Sequence, residues 1–345
     1  MPPWWSPEIF ARKMPALAAR QKITQAVRQY FAAQDFHEVT TPALQVSPGL
    51  EVHLHAFETA FNDPHGGAPR ALYLHTSPEF TMKKLLAAGM PRLYQLAQVY
   101  RNNERSSLHH PEFTMLEWYR AHAGYRDLME DCVALVRAAA TVCGKTSLVH
   151  QDISCDPFAD WEVLTLPEAF RRYCAIDLLA TMPAPHTGDT ERLRAEAARL
   201  EIRTAPDDDW DNIFFRILGE RIEPHLGKDR PVFLTDYPVS QAALARPKPE
   251  EPRLAERFEL YLCGVEIANA FGELTDPDEQ RRRFAADMDA KEKLYGERYP
   301  LDEDFLAALA HMPPAAGIAL GFDRLIMLCT GAAHIEDVLW APVAG

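Results

Sequence analysis

The stretch Arg101-Asn-Asn-Glu-Arg-Ser-Ser-Leu-His-His-Pro-Glu-Phe-Thr-Met-Leu-Glu-Trp-Tyr119 decides the fold. The residues before it, Leu93 to Tyr100, read as a strand. Residues 101–111 are polar and positively charged, as a loop would be. Phe113 to Tyr119 is extended again, rich in aromatic and branched side chains. A strand, a loop and a returning strand make an antiparallel pair, with an arginine delivered into the loop and an aromatic leading the way out.

Upstream of this pair, residues 16–34 predict a helix, with Ala19, Ile23, Val27 and Tyr30 at helical spacing. Glu38 to Val46 is extended, and Pro42 puts it at an edge or boundary. Leu72 and Leu74 mark a strand that turns at Thr76-Ser77-Pro78-Glu79 into a short helix. Downstream, Asp127 to Cys143 is an apolar-periodic helix, and about 150–230 reads as an inserted, alanine-rich helical lobe. Pro231 to Tyr237 is a strand, Arg246 to Pro252 a stiff exposed loop, and 258–271 a hairpin turning at Cys263-Gly264. A charged helix follows at 277–295, then a small-residue strand entering a helix from Gly317 to Leu328. Locally connected strands among long helices predict an α+β fold with an antiparallel sheet, not a doubly wound parallel one. The expected organisation is a tail at 1–15 and one catalytic domain at 16–345.

The chain has 345 residues, 47% of them apolar and 25% charged, which excludes disordered and fibrous classes. Its net charge of −14 disfavours general nucleic-acid binding. No run of about 18 apolar residues exists, so no membrane-spanning helix is expected. The six cysteines are scattered without CxxC or metal-ligand spacing, which predicts buried thiols in a reducing, cytoplasmic setting.

Four segments carry residue types suited to chemistry. In the first, Arg101 suits bidentate phosphate binding and Phe113 can stack on a base. A solvated hairpin with incidental charges is the plainer alternative. In the second, Gly317-Ile-Ala-Leu-Gly-Phe-Asp-Arg324, small residues allow close backbone approach, and Arg324 sits near a helix start, where phosphate is favoured. A tight strand–helix packing point would look similar. In the third, the two-residue turn sets Glu266 opposite Tyr261, with Glu259 its diagonal neighbour on one face. Two carboxylates so placed can share a hard cation, unless they are only an exposed acidic face. The fourth set is Glu79, Glu117, Tyr119, Asn269, Phe271 and Glu273, whose excess of carboxylates suggests an amine-bearing ligand. Strict alternation puts Asn269, Phe271 and Glu273 opposite Glu266, so one shared pocket demands a bulge or twist between 266 and 269. GxxxxGK[ST], GxGxxG, HExxH and GxSxG are all missing, and His109-His110 lacks further metal ligands.

These segments resemble the signature motifs of class II aminoacyl-tRNA synthetases. The helix at 16–34 with the strand ending at Pro42 resembles motif 1, Arg101 to Phe113 motif 2, and Gly317 to Arg324 motif 3. His-Pro-Glu-Phe-Thr-Met-Leu-Glu-Trp-Tyr (110–119) and Gly-Val-Glu-Ile-Ala-Asn-Ala-Phe-Gly-Glu-Leu (264–274) are similar to lysyl-tRNA synthetases. Motif 1 begins near residue 16, so no N-terminal anticodon-binding barrel is expected. Ala319 and Ala268 stand where those synthetases carry glycine, and Tyr237 to Arg246 also leans towards their truncated paralogues, the elongation factor P–(R)-β-lysine ligases.

The resemblance implies a ligase that activates lysine or (R)-β-lysine with ATP and passes it to a lysine of elongation factor P. It implies a homodimer formed through motif 1 and makes tRNA an unlikely partner. Arg101 and Arg324 would be the catalytic clamp on the phosphates. Asn102, Asn103, His110, Phe113, Glu266, Ile267 and Gly321 would complete the ATP site, with Phe113 on adenine. Glu259 and Glu266 would hold magnesium (Mg2+). Ser77, Pro78, Glu79, Glu117, Tyr119, Asn269, Phe271 and Glu273 would hold the amino acid. Asn103 replaces a family glutamate that accepts from adenine, with Glu104 a substitute if the loop shifts; His110 replaces an asparagine and Ala270 a glycine. Two rival functions follow from the same residues: a free-standing enzyme charging an RNA, and a non-catalytic amino-acid-binding regulator.

Overall fold

The computed structural model describes residues 3–344. Its centre is an eight-stranded sheet. In chain order the strands are β1 (His37–Glu38), β2 (Arg92–Tyr100), β3 (Glu112–Ala121), β4 (Glu162–Thr165), β5 (Val232–Thr235), β6 (Arg257–Leu262), β7 (Val265–Gly272) and β8 (Ala315–Gly321). Their order across the sheet is β1-β2-β3-β8-β7-β6-β5-β4. The six central strands are antiparallel; only the outermost pairings, β1 with β2 and β4 with β5, are parallel. The antiparallel α+β expectation therefore describes the sheet except at its two edges.

Helices α1 (Pro7–Ala33), α3 (Tyr125–Val142) and α8 (Phe322–Thr330) share the main apolar core with one face of the sheet. Ile23, Val27 and Phe31 lie one turn apart on α1 and are at most 1% exposed. The helix starts at Pro7 rather than at 16, so most of the expected tail is helical. Pro7 sits in the first turn, where its missing N–H costs nothing, and Pro15 is carried inside the helix. Met1 and Pro2 lie outside the described residues. Arg20 of α1 crosses the core to pair with Asp323 of α8, and also donates to Thr114 Oγ1 at 2.6 Å. Asp323 in turn accepts from the Thr114 N–H at 2.7 Å. Motifs 1, 2 and 3 are thus tied by one buried carboxylate.

The opposite face carries α2 (Glu79–Ala87), and with it α6 (Pro277–Tyr295) and α7 (Glu303–Leu309) in a smaller core around Phe80, Phe284 and Phe305. Two expectations are corrected here. The segment 150–230 is not purely helical: besides α4 (Thr190–Arg199) and α5 (Trp210–Ile217) it contributes β4 to the sheet edge. Its apolar residues do form a separate core, into which Leu254 and Tyr261 also pack. Arg246 to Pro252 is not a bare loop either, because Pro247–Lys248 pairs with Glu251–Ala255 as a short hairpin. Proline is compatible with such an edge strand, so proline content alone overstates the irregularity.

Candidate functional site

One cavity of about 330 Å³ opens between the motif 2 loop, the hairpin β6–β7 and the start of α8. Arg101 and Arg324 both line it. Arg101 leaves the end of β2 and lays its guanidinium over the Phe113 ring, 5.3 Å from the centroid. Its Nε is buried without a partner. Arg324, in the first turn of α8, is held by the Glu266 carbonyl (2.9 Å), the Leu108 carbonyl (3.3 Å) and His109 Nε2 (2.8 Å). Two guanidinium groups thus face one space beside a helix N-terminus, an arrangement suited to a polyphosphate.

The hairpin delivers two carboxylates to the same space. Tyr261 pairs with Glu266 and Glu259 with Asn269, with a register shift at Leu260/Tyr261 that leaves Ile267 as the extra residue. That bulge lets Ile267 and Ala268 both pack into the core at the cavity's edge and brings Glu266, Asn269 and Phe271 to the same cavity. Burial and the neighbouring Glu259 push the Glu266 carboxyl up to about 7. Glu259 accepts from Arg257 (2.6 Å) and from the Tyr261 hydroxyl (2.8 Å). Among the described residues no three His, Cys, Asp or Glu side chains could hold a metal by themselves. Glu266 with Glu259 fits a divalent ion completed by phosphate oxygens.

Beneath the cavity lies an acid-rich slot. Ser77 Oγ and the Tyr119 hydroxyl each donate to Glu117, both at 2.6 Å. Lys83 is 1% exposed and bridges Glu79 (2.5 Å) and Glu273 (2.6 Å). Burial alone would lower the Lys83 ammonium, but Glu273 and Glu79 outweigh it and hold it above its ordinary value. Burial, reinforced by Glu79, pushes Glu117 up to about 8. Burial, opposed by Lys83, sets Glu273 at about 7. Three carboxyls face a single fixed cation, so the slot still favours a cationic group. Gly317 is required beside it, because a Cβ there would fall inside the van der Waals envelope of Tyr119 and Glu273.

The structure divides the expected site residues into groups. Ser77, Glu79, Arg101, His110, Phe113, Glu259, Glu266, Ile267, Asn269, Phe271, Gly321 and Arg324 line the cavity. Glu117, Tyr119 and Glu273 do not line it but lie buried behind Ser77 and Glu79, bonded to them directly, through Glu117 or through Lys83, and Pro78 borders a small neighbouring pocket. Asn102 and Asn103 are exposed and stand outside the cavity wall, whereas Glu104 lines it 4.0 Å from Arg101. Both ring nitrogens of His110 are engaged by main-chain groups, Glu112 O and Val343 N–H. A Cβ on Gly321 would press on the Arg324 stem at 3.3 Å, so this glycine makes room for the arginine.

Sequence reasoning missed Lys83, His109, Glu51 and Arg257, all of which lie in or against the site. Only Lys83 had a usable signal: it sits one helical turn after Glu79 and so faces it. A larger cleft of about 1220 Å³ lies along α1 and the end of α8, among Lys13, Lys22 and Cys143, away from these residues.

The family model for class II tRNA synthetases (D, K and N) matches residues 11–344. The chain belongs to this family. Within it, the chain is similar to the elongation factor P–(R)-β-lysine ligase of Yersinia enterocolitica, 39% identical over 95% of this chain and 94% of the relative. The ligase of the same description from Edwardsiella ictaluri is 40% identical over 94% and 93%. That of Salmonella arizonae is 38% identical over 97% and 96%. The synthetase family membership accounts for the antiparallel sheet, with motif 2 on β2–β3 and motif 3 on β8–α8.

Proposed function

We propose that this synthetase-family chain is a ligase that activates (R)-β-lysine, or lysine, with ATP and transfers it to a lysine side chain of elongation factor P. The observation that carries the reading is that Ser77 and Glu79, which line the two-arginine cavity, are bonded to Glu117 and Lys83 of the buried acid cluster. The names of its relatives support the substrate and the acceptor.

In the first half-reaction an oxygen of the amino-acid carboxylate attacks the α-phosphorus of ATP and pyrophosphate leaves with the bonding pair. Arg101 and Arg324 neutralise the charge that gathers on the phosphoryl oxygens, and Phe113 supports the base. Catalysis is positioning and electrostatics; the carboxylate is already a nucleophile and needs no protein base. Glu266 and Glu259 would hold magnesium, which when bound supplies further charge neutralisation at the phosphates. Glu117, Tyr119, Glu273 and Glu79 orient the amines. In the second half-reaction the free amine of the acceptor lysine attacks the acyl carbon. AMP leaves, and the nitrogen loses a proton to form the amide. Intact-mass analysis of elongation factor P, incubated with the protein, ATP and each lysine isomer, tests this directly. A mass gain on the factor is expected. Label on tRNA and none on the factor overturns it.

We infer a homodimer through α1, which the open clefts along that helix support. We place the enzyme in the cytoplasm, in keeping with six free cysteines. No helix among the described residues is long and apolar enough to cross a membrane.

Three expected results follow. Gly317→Ala should displace Tyr119 and Glu273; overpacking of about 1–3 kcal/mol corresponds to a KM for the amino acid raised about tenfold to a hundredfold. ATP–pyrophosphate exchange kinetics measure it, with the KM for ATP unmoved; an unchanged amino-acid KM defeats the steric argument. The second result concerns pH. Burial pushes Glu117 and Glu273 up to about 8 and about 7, and a bound ammonium favours their ionised forms. The amino-acid KM should therefore fall as pH rises from about 6 to about 8. Stability of the unliganded fold should move the opposite way, declining through the same interval as these buried carboxyls are forced to ionise. A flat KM across that range excludes these two acids as the amine's counter-charges. The third result uses Ala319, which pairs with both Asn269 and Glu117 and lines the cavity. Ala319→Gly should raise the rate with α-lysine relative to β-lysine, and an unchanged ratio removes that methyl as the discriminator.

A further inference from the structure

The ATP-binding loop is tied down by a segment far from it in sequence. Beyond α8, residues 335–343 run across the outer side of the motif 2 loop and touch it at successive points. The Ile335 N–H donates to the Ser107 carbonyl at 2.8 Å. Arg105 pairs with Glu336 at 3.2 Å and donates to the Val343 carbonyl at 3.0 Å. The Val343 N–H donates to His110 Nε2 at 3.1 Å. Because the Glu112 carbonyl can only accept, His110 carries its proton on Nδ1 (2.6 Å), which leaves Nε2 free to receive Val343. His110 is 1% exposed, so this ring is a fixed part of the structure and not a surface contact. Ile335, 2% exposed, lines the cavity and belongs to the core against which Leu108 packs. The segment itself is anchored, since Arg20 donates to the Val338 carbonyl at 3.2 Å.

We propose that residues 335–343 are a strap that positions the motif 2 loop for ATP, with His110 as the positioning residue that receives it. The inference rests on the ATP reading of the cavity. An asparagine at 110 would reach less far, and the imidazole's second nitrogen is what lets one side chain brace both β3 and the strap. The strap acts through the loop: Arg324 is held by the Leu108 carbonyl and His109, so a loose loop frees the phosphate clamp as well.

Full-length Val343→Pro, which deletes the N–H that His110 accepts, and Glu336→Ala, which deletes the Arg105 partner, test this without touching the cavity wall. Hydrogen exchange of the amides at 104–110 should be faster in each variant and fastest in the double variant, with the melting temperature of the protein kept. Losing one or two such bonds should raise the KM for ATP about tenfold, while the KM for the amino acid stays put. Unchanged exchange at 104–110 overturns the strap. Faster exchange with an unchanged KM for ATP overturns its role in nucleotide binding. If the unmodified protein shows no ATP–pyrophosphate exchange at all, the functional reading fails, and the amide exchange still decides whether the strap orders the loop.

Discussion

Arg324→Ala is expected to lower ATP–pyrophosphate exchange by about 10²–10³-fold, the usual cost of removing one pre-aimed charge from a developing transition state. The residue has three anchors: the carbonyls of Glu266 and Leu108, and His109 Nε2. Those anchors come from the protein itself and fix the guanidinium at the mouth of α8. Alanine removes the charge and also releases the motif 2 loop, and both losses fall on the nucleotide. Arg324→Lys separates them, since an ammonium keeps the charge but, as a compact point donor, cannot span the three anchors that Nε, Nη1 and Nη2 reach. Lysine should recover part of the rate and leave the KM for ATP high. Exchange at near the original rate in the alanine variant removes Arg324 from the mechanism.

Asp323→Ala, one residue earlier, should act on stability. Its carboxylate is 1% exposed and is the counter-charge of Arg20, whose side chain is 10% exposed. Breaking a buried pair from one side leaves an uncompensated charge and typically costs about 3–5 kcal/mol. Here the Thr114 N–H also loses its acceptor, at the start of β3. Asp323→Asn retains an acceptor oxygen and should cost less. Urea denaturation followed by circular dichroism gives the difference, and a loss below about 1 kcal/mol for alanine would show that Arg20 finds other company.

How far these features were legible in the sequence depended on how local their causes were. Glu266 opposite Tyr261 followed from a two-residue turn, and the register agrees. The incompatible phases of Glu266 and Asn269 demanded an irregularity, and the bulge at Ile267 supplies it. Lys83 is legible too, since its spacing from Glu79 places it on the same side of α2. The strap was not legible, since nothing in residues 335–343 announces a contact more than two hundred positions away. Only their place in the motif points Asn102 and Asn103 to the nucleotide. The backbone carries Asn103 through a left-handed turn, φ 64°, and both side chains stay in solvent. The edge strands were the least legible part of the fold, because two to four residues leave too short a period to count.

The place of β8 in the sheet has a consequence for how the protein is made. It lies between β3 and β7, yet it is translated after both. Until residues 315–321 leave the ribosome, the nascent chain holds two half-sheets with facing unsatisfied borders, and the two arginines have no common space to share. Chaperone demand should concentrate in that window, and a stalled or clipped product offers two open strands to any neighbour.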